Sequence, residues 1–242
     1  MEGIEIIWII AVVAVSAFAQ SLAGFGFGLL AVPLMTLFVD AHDAVIVATM
    51  IGAVSTIAQA ILDREHCEWP TARRLSIAAY AGMPLGLFAF VIVSESAMRL
   101  VLGIVVLLAT LVLARGFTFT GQSRFVEWIM GVMSGVLSTS TSTNGPPLVF
   151  LLQARQMEAH TFRATINTVF ALSNFGAISL FAISGNVEAN GIVAAAASLP
   201  ILFLALRAGY ALRPRVDGAV FKKLVLVMLV LSGVSVLTSA FA

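Results

Sequence analysis

The sequence predicts an all-α integral membrane protein built as two inverted repeats, each a re-entrant broken-helix hairpin plus three transmembrane helices. Three features predict it: a composition too apolar for water, eight apolar blocks joined by short charged links, and helix-breaking runs inside two of those blocks. Of 242 residues, 60% are hydrophobic and 10% charged, and the mean hydropathy is +1.07. A soluble domain carries about 25% charge. One soluble core cannot hide this much apolar surface, so the surrounding solvent is a lipid bilayer. A net charge of +1 leaves no electrostatic footprint for nucleic acid. The single cysteine, Cys67, excludes an internal disulfide and any CxxC metal or redox motif.

The apolar blocks run, in order, over residues 4–39, 43–62, 75–93, 97–114, 125–152, 164–183, 190–212 and 219–241. The first contains Ala17-Phe18-Ala19, which mimics a signal-peptide cleavage site. Glu2 and Glu5 stand where such a peptide is positive, so the segment is expected to be retained. Six blocks hold about 18–23 residues, which at 1.5 Å per residue match a hydrocarbon core of about 30 Å. Blocks 4–39 and 125–152 differ. Gly-Phe-Gly-Phe-Gly at 24–28 precedes Pro33 in the first, and Ser138 to Thr143 followed by Asn144-Gly145-Pro146-Pro147 interrupts the second. The arm Phe125 to Leu137 is only about 20 Å long as a helix, too short to cross.

Each broken block is either one kinked crossing, giving eight spans, or a hairpin that leaves by the face it entered, giving six spans and two hairpins. Lys and Arg belong in cytoplasmic loops. With Arg64, Arg73 and Arg74 inside, the hairpin reading puts every Lys and Arg except Arg99 on that face, whereas the eight-span reading moves Arg155 and Arg163 outside. The hairpin reading also puts both termini outside the plasma (inner) membrane. Ile4 to Leu22 is long enough to cross, but loop sides stay the same if its partner returns. Two repeats follow: residues 1–120 (hairpin 4–39, spans 43–62, 75–93 and 97–114) and residues 121–242 (hairpin 125–152, spans 164–183, 190–212 and 219–241). Pro33 and Pro147, Thr49 and Thr165, Pro84 and Pro200, and Arg99 and Lys222 recur at 114 to 123 residues. Three crossings is an odd number, so the second copy is upside down.

Irregular backbone survives at membrane depth only inside protein or against a wet cavity. A Ser/Thr/Asn-rich bend supplies hydrogen bonds of its own. Asn144 or Gly145 can cap a helix, and Pro146 and Pro147 suit its first turn. Short helices are expected to start near Pro146 and near Pro33, each aiming a positive dipole end and free N–H groups at the bend. Two such ends meeting would form an anion nest with little formal charge. Gly24, Gly26 and Gly28 let backbone approach a ligand, and hydroxyls of the 138–143 run donate without a buried lysine's desolvation cost. Packing is the competing account: Gly24 and Gly28 fit a small-xxx-small pattern.

The stretches AGFGFGLLAVPLM, GVLSTSTSTNGPPLVFLL and HTFRATI resemble the sulfite exporter TauE/SafE family, also called the toluene sulfonate uptake permease family, over nearly the whole chain. The resemblance implies a membrane carrier of small sulfur-containing or other organic anions. It departs from the family's usual glycine-rich bend followed by Pro, with Gly-Phe-Gly-Phe-Gly in the first half and a Ser/Thr run in the second, so the substrate is left open. Arg163, at the entry to a helix, is either a snorkelling interfacial arginine or a counter-charge able to grip a carboxylate or sulfonate with two bonds.

The expected substrate-binding set is therefore Gly24, Phe25, Gly26, Phe27, Gly28, Ser140, Thr141, Ser142, Thr143, Asn144, Gly145 and Arg163. Asn167, Asn174, Gln20, Gln59 and Thr49 read first as hydrogen bonds between helices. Arg99 reads as a solvated charge, Glu127 as the partner of Arg124, and 213–223 as positive-inside signal. His42, His66 and His160 lie in or beside loops without metal-ligand spacing, so no metal and no cofactor is expected. An intramembrane enzyme would need a Ser–His pair or two acids at depth. An anion channel and a structural membrane subunit remain alternatives. The favoured reading is a carrier that rocks its two halves about the bends. It exports without a coupling ion, since an interior about 100 mV negative favours outward anion movement by about 2.3 kcal/mol per charge. Oligomeric state is left open.

Overall fold

The computed structural model describes residues 3–115, 123–212 and 218–240. They form α1 (Gly3–Ala23), α2 (Phe27–Met35), α3 (Ala41–Leu62), α4 (Trp69–Ile92), α5 (Glu95–Arg115), α6 (Arg124–Thr141), α7 (Gly145–Ala154), α8 (Ala159–Ile183), α9 (Ala189–Leu212) and α10 (Gly218–Ser239), with a 3-10 turn at Arg64–His66. Six helices, α1, α3, α4, α5, α8 and α9, are long and apolar enough to cross a membrane. α10 has 22 residues, but its described apolar stretch, Val225–Ser239, is shorter. Leu85, Phe88, Val91 and Ile92 of α4 and Phe203 and Leu204 of α9 are exposed. Outward rows of large apolar side chains are what a lipid-facing surface presents.

Each broken block folds back to its own starting end. Trp8 near the start of α1 donates from Nε1 to the Leu34 carbonyl at 2.8 Å, and its ring lies 4.6 Å from that of Phe38. Arg155, which caps the C-terminal end of α7, bonds the carboxylate of Glu127 in the first turn of α6. The two hairpins open at opposite ends of the bundle. Arg74, early in α4, donates to Glu127 at 2.6 Å, whereas Phe90, late in α4, accepts from His42 at 3.0 Å. About 24 Å of helix separates Arg74 from Phe90. At the Phe90 end, Arg99 donates to the Thr36 carbonyl at 2.6 Å and pairs with Glu95, which also receives the Ala41 N–H at 2.7 Å.

Several expectations change. α6 runs through Thr141 for 18 residues, about 27 Å, rather than stopping at Leu137. Buried hydroxyls allow this by finding backbone acceptors: Ser140 and Thr141 donate to the carbonyl four residues earlier, and Thr139 donates across to the Met83 carbonyl of α4 at 2.7 Å. Glu127 is buried between Arg74 and Arg155 rather than paired with Arg124, because α6 tucks its first turn against α4. Burial pulls the Arg155 guanidinium below its usual value, with Glu68 opposing the drop and Arg74 adding to it; an arginine remains charged at pH 7 all the same. Arg99 is held by Glu95 and Thr36 rather than freely solvated. Glu2, Arg213, Arg215 and the side chain of Lys222 lie outside the described residues.

The closest packing crosses between the sequence halves. A Cβ on Gly82, Gly86 or Gly135 would drive into a carbonyl oxygen of the facing helix, Val132, Val136 and Ala79 respectively, which seals α4 against α6. Gly209 of α9 leaves room for the Ser21 side chain of α1, with the Phe18 carbonyl 3.1 Å from where a Cβ would stand. The other seams repeat this exchange: α4 also packs on α8 as α9 packs on α3, α5 touches α7 as α10 touches α2, and α3–α8 and α5–α10 pair like with like.

Candidate functional site

The first bend owes its shape to glycine. Gly24 and Gly26 adopt φ of +85° and +98°, a region costly for residues with a Cβ. Gly26 caps α2, and the first helical bond is Leu30 N–H to the Gly26 carbonyl at 3.1 Å. The N–H groups of Phe27, Gly28 and Leu29 precede it and have no partner within the helix. Pro33, expected near the start of this helix, sits in its seventh position; the break comes from the αL turn at Gly26 instead.

The second bend closes differently. Thr143 N–H reaches back to the Leu137 carbonyl at 3.2 Å, and Ser142 takes the left-handed conformation with φ of +54°. The Ser142 N–H bonds the same carbonyl, so α6 ends in a wide turn closed by a residue in the αL conformation. α7 then starts at Gly145; Asn144 holds the position before it, but its side chain makes no capping bond. Pro146 and Pro147 occupy the first turn and carry no N–H. Of that turn's free donors, the prolines leave Gly145 alone. The positive tip of α7 is therefore poorer in hydrogen bonds than that of α2.

The bends meet. A Cβ on Gly28 would fall on the Ser142 carbonyl, so only glycine allows this approach. Thr49 of α3 donates to the Ser142 hydroxyl at 2.9 Å, which fixes the second bend against the first half. Beside the contact lies a cavity of about 20 Å³, measured as the space open to the centre of a water-sized sphere. That suffices for roughly one water. The bends contribute Gly26 to Leu29 and Ser142 to Gly145 to its wall. Gln20, Thr56 and Asn174 add polar side chains, and Ala48, Gly52 and Phe170 complete the lining. No lining residue is charged. The Asn144 Nδ2 group is buried and makes no hydrogen bond, so a donor stands ready at the wall. Asn174 donates to Thr56 at 3.3 Å and Ser55 donates to Gln20 at 2.6 Å, which orients the remaining amides. A larger hollow of about 370 Å³ between α5, α6 and α7 is lined only by apolar side chains such as Leu108, Met133 and Phe150, and offers an anion nothing.

Seven of the expected residues line the cavity: Gly26, Phe27, Gly28, Ser142, Thr143, Asn144 and Gly145. Five do not. Gly24 lies under the stem of Arg163, Phe25 meets Phe162 edge-on with centroids 6.1 Å apart, and the hydroxyls of Ser140 and Thr141 bond Val136 and Leu137. Arg163 thus stands beside the first bend but outside the cavity wall. Gln20, Thr56, Phe170 and Asn174 were not in the expected set. Gln20 and Asn174 do make the interhelical bonds expected of them, and they also face the cavity. One pattern could have singled out Asn174 and Phe170: positions 163, 167, 170 and 174 share one face of α8.

Comparison with known proteins finds relatives over nearly the whole chain. The family model described as Sulfite exporter TauE/SafE matches residues 9–236. A curated relative from Cupriavidus necator, a probable sulfite/organosulfonate exporter TauE, is 24% identical over 96% of this chain and 93% of its own length. No solved structure matches the chain.

Proposed function

The chain belongs to the sulfite exporter TauE/SafE family, and on that premise we propose that it is a secondary transporter, an exporter of a small sulfur-containing or organic anion such as sulfite or a sulfonate, in the plasma (inner) membrane. The observation that carries this reading is the donor-lined cavity between two touching backbone bends. The α2 N–H groups, the Gly145 N–H and the Asn144 amide all offer hydrogen, and no carboxylate lines the wall. Such a cradle favours negative charge through the helix dipole and backbone donors. It holds no lysine or arginine that would bind too firmly to release. Its donors suit the oxygens of a sulfite or sulfonate head, but the space for about one water means the bends must part before such a head can enter.

The reading extends to topology. Two hairpins opening at opposite ends, with helix pairings that exchange when the halves are exchanged, support two inverted repeats with a mid-membrane site. Arg74, Arg155 and Glu127 at one end and Arg99 and Glu95 at the other support a basic inner face with both termini outside. Alternating access moves the anion across. The glycine seams weld hairpin two to α4 and hairpin one to α9, so these crossed units, rather than residues 1–120 and 121–242, are the bodies that rock.

The test is purified protein in vesicles. Sulfite, methanesulfonate or thiosulfate should raise the thermal midpoint, and loaded vesicles should show saturable efflux with counterflow. Flux that does not saturate would point to a channel. Absence of both stabilisation and flux, across these anions and small carboxylates, would overturn the proposal.

A further inference from the structure

Asn167 and Ser173 are two fully buried polar side chains on α8 that find no partner, and of these Asn167 leaves both a donor and an acceptor unmet. A buried amide left this way costs stability that an apolar residue of the same size would not. Asn167 also occupies a particular place. Positions 163, 167, 170 and 174 line one helix face in order. Asn174 and Phe170 line the central cavity, while Arg163, near the start of α8, lays its stem over Gly24 of the first bend. Asn167 is therefore the polar step between the cavity and the arginine, with the Phe170 ring on its cavity side.

We propose that Asn167 forms, with Arg163, a second binding site for a small oxyanion, on the inner approach to the central cavity, occupied when the protein opens toward that face. The amide N–H₂ donates to an anion oxygen. The amide carbonyl accepts from a water the anion carries, or from the O–H of a singly protonated oxyanion. Phe170 separates the two sites and must swing for the anion to pass. This inference rests on the proposed transport function.

Methanesulfonate serves as the probe. Asn167→Leu should keep a thermal midpoint at or above the parent's and bind methanesulfonate at the central cavity with affinity within about 2-fold, while efflux falls by about 10-fold or more. Asn167→Cys in a Cys67→Ser background should react with an anionic methanethiosulfonate reagent from the inner face, and methanesulfonate should slow that labelling. Efflux of the leucine variant within about 2-fold of the parent, or no labelling from either face, overturns the second site and leaves the transport proposal standing. Loss of binding together with a lowered midpoint overturns it as well, by making Asn167 a structural residue. A parent protein that neither binds nor moves any of the anions tested overturns the proposed function itself.

Discussion

Gly28 of one hairpin and the backbone carbonyl of Ser142 of the other stand closer than any side chain would allow. Two breaker runs more than a hundred residues apart in sequence thus form a single structural object. The cavity wall is continuous only while this contact holds.

Gly28→Ala should therefore separate the bends. Overpacking of this kind costs about 1–3 kcal/mol, and the expected result is a lower thermal midpoint together with loss of anion-induced stabilisation. Gly26 provides the contrast. A Cβ there meets nothing within 4 Å, but φ is +98°. Gly26→Asn should be milder than Gly26→Val, since strain at positive φ weighs least on Asn.

Asn144→Ala removes the unpaired donor at the cavity wall. Affinity for sulfite should fall by about 1 kcal/mol, roughly fivefold, while folding stability holds or rises. Ser140→Ala should leave affinity unchanged, because that hydroxyl is spent on an α6 carbonyl, whereas Thr141→Val would also unpair the hydroxyl of the cavity-lining Thr143 and weaken binding. Titration by thermal shift separates the two groups. Equal effects across 140–144 would return the run to a packing role.

Glu127 is 4% exposed and serves two guanidiniums from different parts of the chain. Glu127→Ala would leave two partly exposed guanidiniums, Arg74 and Arg155, without their carboxylate, a loss of about 1–3 kcal/mol. The variant is expected to reach the membrane poorly or melt early in detergent. Replacing Arg124, which lies outside this network, should do neither.

Transport should respond to voltage alone. A potassium diffusion potential of about 100 mV, negative inside, should drive anion efflux with about 2.3 kcal/mol per charge. A strict need for a proton or sodium gradient would remove the uncoupled mechanism.

Most of the fold was legible in the sequence because bilayer length and helix breakers leave few choices. Predicted blocks such as 43–62 and 190–212 differ from α3 and α9 by one or two residues at their ends. The boundary at Leu137 failed because Ser and Thr count as helix-poor residues in water, whereas in a dry interior their hydroxyls fold back onto the helix. Pro33 misled for a related reason. Proline often marks a helix start, but Gly26, in a left-handed conformation, had already begun this one. The site was half legible. The bends announced themselves by composition. Gln20, Thr56 and Asn174 did not, since single polar residues in apolar helices look alike whether they bond a neighbour or face a cavity. Only the pairing of α3 with α8 and of α1 with the bends decides between those roles.

The glycine-to-carbonyl seams have a consequence for how this polypeptide can be made. Each hairpin completes its packing on a helix encoded in the opposite half: hairpin two waits for nothing, since α4 is already synthesised, but hairpin one must wait for α9. Until α9 emerges, Phe18 and Ser21 face lipid without their partner glycine. A truncated product ending before Ala189 would accordingly carry an unsheltered first hairpin, and co-expression of the missing segment should restore it.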